Sequence, residues 1–483
     1  MKFESYDIES IRCVISGFQP ESSSSAARPL PLKEIFTPAT HKDALDIEKS
    51  LIVGNRGTGK SVWSGALADD SLRQAIAKEY SYDALMNAEV ELGFHQSAGE
   101  VRGIAPSSRV LSGLLKAGNS PETIWTAVLL KATSKHTKAR IKSDLGDLII
   151  WIDSHPFKCE ELLRKADEWF LKKGKKFLLV FDALDRLGSN WGDIRPLTRG
   201  ILMLALSMQG YSSMRAKVFM RTDQFKDNII FNFPDASKLR AARVDLTWHS
   251  TDLYGLFFQQ LRYNLKSKSA FERLYKEVVG LSIRPYTQIS MPDEQRRLFN
   301  MIAGEYMGTD HRRGRTYTWI VDHLADAFHE TTPRSFLVTL QRAASARQRP
   351  VTTVIDHHGI REGVQAASAI RVDQLSEDYP WILRALTDLE GLAVPCEPSL
   401  FVAKWREKHT VLGIHSTSIN SPGPVELEKP LSDKEELLME SLVNIGVIEY
   451  RTESRINMPD IFRVAAKIKR RGGIKPPTSS RAK

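Results

Sequence analysis

A chain of 483 residues with 42% hydrophobic and 8% aromatic content is ordinary for globular protein but longer than one core usually organises, so two to four domains are expected. Its longest apolar run, Ile201 to Leu206, is far short of the roughly 20 residues that cross a bilayer, which argues against a membrane protein. The net charge of +10 arises from 68 basic and 58 acidic residues spread along the chain, so it speaks for solubility more than for a polyanion partner.

The N-terminal MKFESYDIES is acidic where a secretory leader would be basic and then apolar, and Cys13, Cys159 and Cys396 lie far apart. Both features predict a cytoplasmic chain. The Ser- and Pro-rich PESSSSAARPLP, 20–31, cannot build a core, so residues 1–31 read as an N-terminal segment and linker.

From residue 32 a nucleotide-binding domain is predicted to run to 248. The apolar Leu51-Ile52-Val53 reads as a strand, GNRGTGKS follows at 54–61, and good helix formers come next. Gly54, Gly59, Lys60 and Ser61 satisfy G-x-x-x-x-G-K-[ST]. In such a loop (Gly54, Asn55, Arg56, Gly57, Thr58, Gly59, Lys60, Ser61) the glycines let successive backbone N–H groups turn to one anion and the helix N-terminus adds its dipole. Lys60 reaches the terminal phosphates, and the Ser61 hydroxyl ligates Mg²⁺. The expected ligands are ATP and Mg²⁺.

Val90, Leu92 and Phe94 alternate as a strand would, and residues 100–175 read as a largely helical insertion. KFLLVFD, AKVFMRTD and ARVDLTW supply three further strands, and strands separated by helices predict a parallel α/β sheet. Asp182 ends the apolar LLVF and is the candidate second magnesium ligand; Asp185 is placed to orient the attacking water, its other reading being a helix cap or surface carboxylate. Arg221, Thr222 and Asp223 end the next strand, where ligands of open parallel sheets bind.

Residues 249–347 are predicted to be an all-helical lid. TTPRSFLVTLQRAA places Pro333 in the first turn of a helix with Arg334 after it, where a cation can reach back to phosphates; a surface arginine is the other reading. Residues 348–379 read as a connector, since Pro350 and β-branched residues interrupt the helical period. Residues 380–465 read as three helices and a β-hairpin, the size of a winged helix. The tail 466–483 is expected to be mobile; from Lys467 onward it carries seven basic residues and no acidic one. DHHG at 356–359 and the basic run 310–317 read as polar loops, and Trp63 as core.

Taken in order, PLKEIFTP, LIVGNRGTGKS, FLLVFDALDRL, KVFMRTDQF, DLTWHSTDLYGLFFQQL and TPRSFLVTL resemble bacterial P-loop ATPases of the AAA+/STAND continuum, over roughly residues 31–465. The D-x-x-D-R form is similar to the KAP-type and STAND branches, and a helical lid with a winged helix resembles origin-recognition initiators. The resemblance implies a Walker B pair of Asp182 and Asp185, a sensor-1 position at Arg221 or Thr222, a sensor-2 position at Arg334 and an arginine finger at Arg240. It also implies a homo-oligomer. Two departures stand out: Lys60 and Asp182 are separated by an inserted helical segment, and Ala183 follows Asp182 where an acidic pair is usual. Slow or partner-stimulated hydrolysis is the expectation.

The leading functional reading is a switch or assembly ATPase acting with a co-encoded partner protein or effector, of the kind found in bacterial conflict and anti-phage systems. A DNA-binding initiator or transcription regulator is the alternative, and a small-molecule kinase fits the loop alone. The candidate recognition helix, 432–446, opposes Asp433, Glu435, Glu436 and Glu440 to a single Lys434, so any DNA binding is expected to be non-specific and to come from the tail.

Overall fold

The computed structural model describes residues 4–20, 29–96, 103–284, 288–417, 423–428, 433–451 and 454–472. The chain divides into two compact units, one of Ser22–Thr247 and the other of Met1–Glu21 with Trp248–Lys483.

The first unit is built on five strands, β1 (Leu51–Gly54), β2 (Ala88–Phe94), β3 (Lys176–Phe181), β4 (Met214–Arg221) and β5 (Val244–Asp245). All pairings are parallel, in the order β2-β3-β4-β1-β5. Helices cover both faces, which is why the strands are apolar almost throughout. The pleat divides β3 cleanly: Leu178 and Val180 join Trp63, Leu67, Ile76 and Phe219 on one side, while Phe177, Leu179 and Phe181 join Trp125, Phe170 and Val218 on the other.

Between β2 and β3 lie the helices Ser108–Lys116, Pro121–Thr137, Leu145–Ser154 and Pro156–Lys172. Ser107, Ser120 and Asp144 cap the first three by accepting from the backbone N–H groups of Val110, Thr123 and Asp147. Trp63 is a core residue, as expected; its indole donates to His41 Nδ1 at 3.0 Å.

Lys217, in the middle of β4, has no accessible surface. Its ammonium donates to the carbonyls of Ala44, Asp46 and Lys49 at 2.8, 2.7 and 2.8 Å, tying down the turn that leads into β1. Burial pushes its pKa down to about 7, while three acceptors around one nitrogen favour the ammonium. Lys217→Met keeps the bulk and removes the donors. The expected cost is about 3 kcal/mol, because buried carbonyls are left unpaired, read as a lower denaturant midpoint; an unchanged midpoint would mean that other donors serve this turn.

In the second unit the N-terminal segment is an integral part. The Ser5–Ser16 helix buries Ile8, Ile11, Val14 and Ile15. Arg12, also buried, donates to the carbonyls of Pro350, Thr353 and Val354 at 2.6, 2.8 and 2.8 Å, and Asp7 pairs with Arg273. This helix packs with Lys268–Val279 and Pro333–Ala344. The helices Ser250–Tyr263, Pro292–Ala303 and Thr316–Leu324 complete the helical part expected between 249 and 347.

The stretch read as a connector differs from expectation, because after a break at 346–356 it forms the 22-residue helix His357–Asp378. Asp356 caps it, accepting from Gly359 N–H at 2.9 Å, so DHHG is a helix start rather than a loop. Helix Trp381–Thr387, strand β6 (Ala393–Val394), helices Pro398–Glu407, Thr410–Thr417 and Lys434–Asn444, and the antiparallel hairpin of β7 (Glu449–Tyr450) and β8 (Ile456–Asn457) follow in that order. Cys396 bridges to Ile456, adding the segment after β6 to the hairpin edge. The basic tail also begins later than expected: β9 (Lys469–Arg470) pairs with β6, and Ile468 is buried. Residues 473–483 of that tail lie outside the described residues. Among the described residues no helix is long and apolar enough to cross a membrane.

Candidate functional site

Because the strands are parallel, β3, β4 and β1 deliver their C-terminal ends to one edge of the sheet, and each carries polar residues there. β1 ends at Gly54. The loop that follows turns through Gly57 and Gly59 at φ 87° and 98°, left-handed values that favour glycine, and the helix Lys60–Ala68 starts directly after it. A Cβ on Gly54 would lie 2.6 Å from Thr58 Oγ1, whose hydroxyl donates to Asn55 O at 2.9 Å. The loop is thus closed tightly by its own short side chains.

Lys60 folds back over this loop, its ammonium donating to the carbonyls of Gly54 and Asn55, both at 2.8 Å. Burial first, and then the positive charge of Arg221, lower its pKa to about 8. Asp182, Asp185 and Asp223 act in the opposite direction. Five charged side chains from three strand ends therefore share one local field.

Asp182 is 3% exposed and sits at the end of β3, its backbone N–H donating to Phe94 O at 2.9 Å. Its carboxylate accepts from Ser64 Oγ at 2.8 Å. Ser64 lies one helical turn after Ser61, so the helix that carries the proposed metal hydroxyl also orients the carboxylate. Sequence reading missed Ser64, although its i+3 spacing from Ser61 was the available signal. Ala183 then takes a left-handed conformation, φ 56°, which ends the strand abruptly and starts the short turn Leu184–Arg186. Through this turn Asp185 Oδ2 comes to lie 3.7 Å from Arg221 Nη1.

Arg221 is the last residue of β4, in register with Gly54, and Thr222 opens the short helix Thr222–Lys226. Gly54, Asn55, Arg56, Gly57, Thr58, Gly59, Lys60, Ser61, Asp182, Asp185, Arg221 and Thr222 thus all lie on or next to this edge. Ser61 and Asp182 offer only hard oxygen donors, the type Mg²⁺ prefers.

The two remaining candidates are carried by other elements, Arg334 by the helix expected for it. Arg334 stands in the first turn of Pro333–Ala344, behind the Thr332 cap, in the helical unit rather than the sheet unit. Arg240 lies on Ala236–Ala241 with its guanidinium 4.6 Å above the Phe231 ring and 5.3 Å from that of Phe225, while Nη2 donates to Phe225 O at 3.1 Å and Asn228 Oδ1 at 3.2 Å. It is engaged inside its own unit, because two aromatic faces and two acceptors attract a cation more than open solvent does.

Arg240→Ala is accordingly expected to lower stability by about 1 kcal/mol, seen in thermal melting without nucleotide. A variant that melts like wild type but loses turnover, with activity regained on mixing with Lys60→Ala subunits, would instead mark an arginine acting across subunits.

No family model matches the chain, and no curated protein does. Among solved structures, the ORC2 protein of Aeropyrum pernix in its ADPNP–ADP complexes is similar over 86% of this chain and 85% of that one, at 11% identity and a TM-score of 0.36. The ADP form of the same protein is similar over 85% and 83%, at 11% identity and a TM-score of 0.27.

Proposed function

We propose that the chain binds ATP with Mg²⁺ at residues 54–61 and works as a slowly hydrolysing switch or assembly ATPase, in oligomeric form and with a partner protein. The observation that carries this is the gathering of Lys60, Asp182, Asp185 and Arg221 at one sheet edge, beside a loop of the G-x-x-x-x-G-K-[ST] type. Loop N–H groups and Lys60 would hold the phosphates. Ser61 and Asp182 would hold Mg²⁺, which supplies charge neutralisation for the terminal phosphate. Asp185 would orient water, and Arg221 or Thr222 would read the terminal phosphate. Arg334, on the helical unit, would carry nucleotide state to that unit.

Ala183 in place of a second acidic residue, and Asp185 lying close to a guanidinium, favour slow turnover, which suits a switch better than a metabolic enzyme. A partner from a bacterial conflict system is part of this proposal, suggested by the resemblance of the sequence motifs to AAA+/STAND ATPases. Equilibrium binding of ATP with and without Mg²⁺, followed by identification of what co-purifies with the chain in each nucleotide state, tests the proposal. No nucleotide binding at micromolar to millimolar ATP would overturn it.

DNA is the second reading, favoured by one surface. Lys467, Lys469, Arg470 and Arg471 are all exposed on and around β9, while Arg406 pairs with Asp433 and Glu435 at the start of the acidic helix Lys434–Asn444. Duplex binding is expected to be non-specific and to fall steeply with salt, as counterion release requires. It should be lost when residues 473–483 are removed and Lys467, Lys469 and Arg471 are changed to Glu, with ATP binding retained. Truncation at 467 is unsuited to this test because it deletes β9. Sequence-selective, salt-resistant binding that survives these changes would favour the regulator reading over the partner-protein one.

A further inference from the structure

At the end of β4, Arg221 makes a contact with Asp223 that the nucleotide reading leaves without a role. Arg221 meets Asp223 edge to edge, Nε 2.9 Å from Oδ1 and Nη2 3.1 Å from Oδ2. The two side chains are 11% and 17% exposed, shielded from solvent but within its reach. Nη1 of the same guanidinium lies 3.7 Å from Asp185 Oδ2. The turn is held by Gln224, whose buried side chain accepts from Arg221 N–H at 3.4 Å.

A guanidinium offers the same forked edge to a carboxylate and to a phosphate, and the two anions compete for it. Register places Arg221 beside Gly54, the first residue of the loop, on strands about 4.8 Å apart. Three carboxylates, Asp182, Asp185 and Asp223, act on Lys60 against the one guanidinium. A third phosphate brings more charge than a diphosphate, and beside Mg²⁺ a guanidinium at the loop can meet it. The cation at hand is already held by Asp223.

Resting on the nucleotide reading above, we propose that Asp223 is a built-in competitor for Arg221. In the nucleotide-free chain it holds the guanidinium edge to edge; a terminal phosphate takes its place, and the same movement draws Arg221 away from Asp185. Asp223 is then a positioning residue that sets discrimination between nucleoside tri- and diphosphate. ADP, which lacks the third phosphate, leaves the clasp closed.

The test is equilibrium binding of a non-hydrolysable ATP analogue and of ADP to the full chain. Asp223→Asn is expected to raise the ratio of triphosphate to diphosphate affinity about two- to fivefold, with little change for ADP. Asp223→Ser, whose hydroxyl suits the first turn of a helix, should do the same and carries the test should the amide variant fold poorly. Arg221→Gln should lower the ratio, and adding Asp223→Asn to it should change nothing further, since the competitor then has nothing to hold. An unchanged or lowered ratio in both Asp223 variants, or an equal effect with and without Arg221, overturns the proposal. These outcomes are separable from failure of the underlying reading. A wild type that binds neither nucleotide, or a Lys60→Ala variant that binds both normally, removes the nucleotide site and this proposal with it, whereas Lys60-dependent binding with a flat ratio removes the competitor alone.

Discussion

Lys60→Ala is expected to lower ATP affinity about 30- to 150-fold, the equivalent of about 2–3 kcal/mol for charge-assisted hydrogen bonds to phosphate. The residue is poised for that role, since its ammonium donates to loop carbonyls that flank the proposed phosphate site. The same lysine gives the interaction a pH signature. Its pKa without nucleotide is lowered to about 8, and a phosphate beside it raises that value, so above pH 8 binding takes up a proton. Affinity should therefore be flat up to about pH 7 and fall as pH rises through 8, by up to tenfold per unit until the bound-state pKa is passed.

Folding stability moves in the opposite direction. The folded pKa of about 8 lies below the ordinary value of 10.5, so the unfolded chain binds more protons between these values, and Lys60 contributes rising stability to the nucleotide-free chain as pH increases from 8 to 10.5. Measuring ATP affinity and the denaturant midpoint of the nucleotide-free chain from about pH 6.5 to 9.5 separates the two trends. Lys60→Arg should bind more weakly through altered geometry but with a flat profile, because its guanidinium stays charged. Wild-type affinity that is independent of pH would mean that Lys60 is already fully protonated without nucleotide, and its role as a phosphate ligand would then rest on Lys60→Ala alone.

The second large effect is a separation between two carboxylates three residues apart. Asp182→Ala should abolish the part of ATP affinity that depends on Mg²⁺, because the carboxylate fixed by Ser64 is the only acidic group assigned to the metal. Ser64→Ala should weaken that dependence without removing it. Asp185→Ala should retain Mg²⁺-dependent binding and turn over about 10²- to 10⁴-fold more slowly, the range for loss of a positioned general base. Binding isotherms with and without Mg²⁺, together with single-turnover hydrolysis, read both quantities. Loss of Mg²⁺ dependence in Asp185→Ala with retention in Asp182→Ala would reverse the assignments.

Much of this site can be read directly from the chain, and the parts that can share a physical origin. The strand, the GNRGTGKS loop and the helix after it are local: β-branched and apolar residues set β1, glycines permit the left-handed turns at Gly57 and Gly59, and the helix begins where the loop's last glycine ends. The apolar run that becomes β3 points to Asp182 for the same reason, since a buried strand must end where polar residues begin. Three of the inserted helices start at local signals, the caps Ser107, Ser120 and Asp144.

Contacts between distant residues belong to the other class. That β4 lies between β1 and β3, bringing Arg221 beside Gly54 and Asp182 onto Ser64, depends on which strand edges pair when the whole sheet assembles, and no period within a segment encodes that choice. Lys217 looks like an anomaly in an apolar strand until packing supplies three carbonyls from the turn at 44–49. The Ser5–Ser16 helix shows an apolar face in sequence, yet nothing local says that Arg12 will meet carbonyls at 350–354, and Arg240 is turned inward by aromatic rings that only folding brings beneath it. The sequence by itself determined backbone conformation and the kinds of chemistry on offer, because these rest on sterics and hydrogen bonds within a few residues; tertiary structure decided which charges meet, because that depends on burial and on chain segments closing over more than a hundred residues.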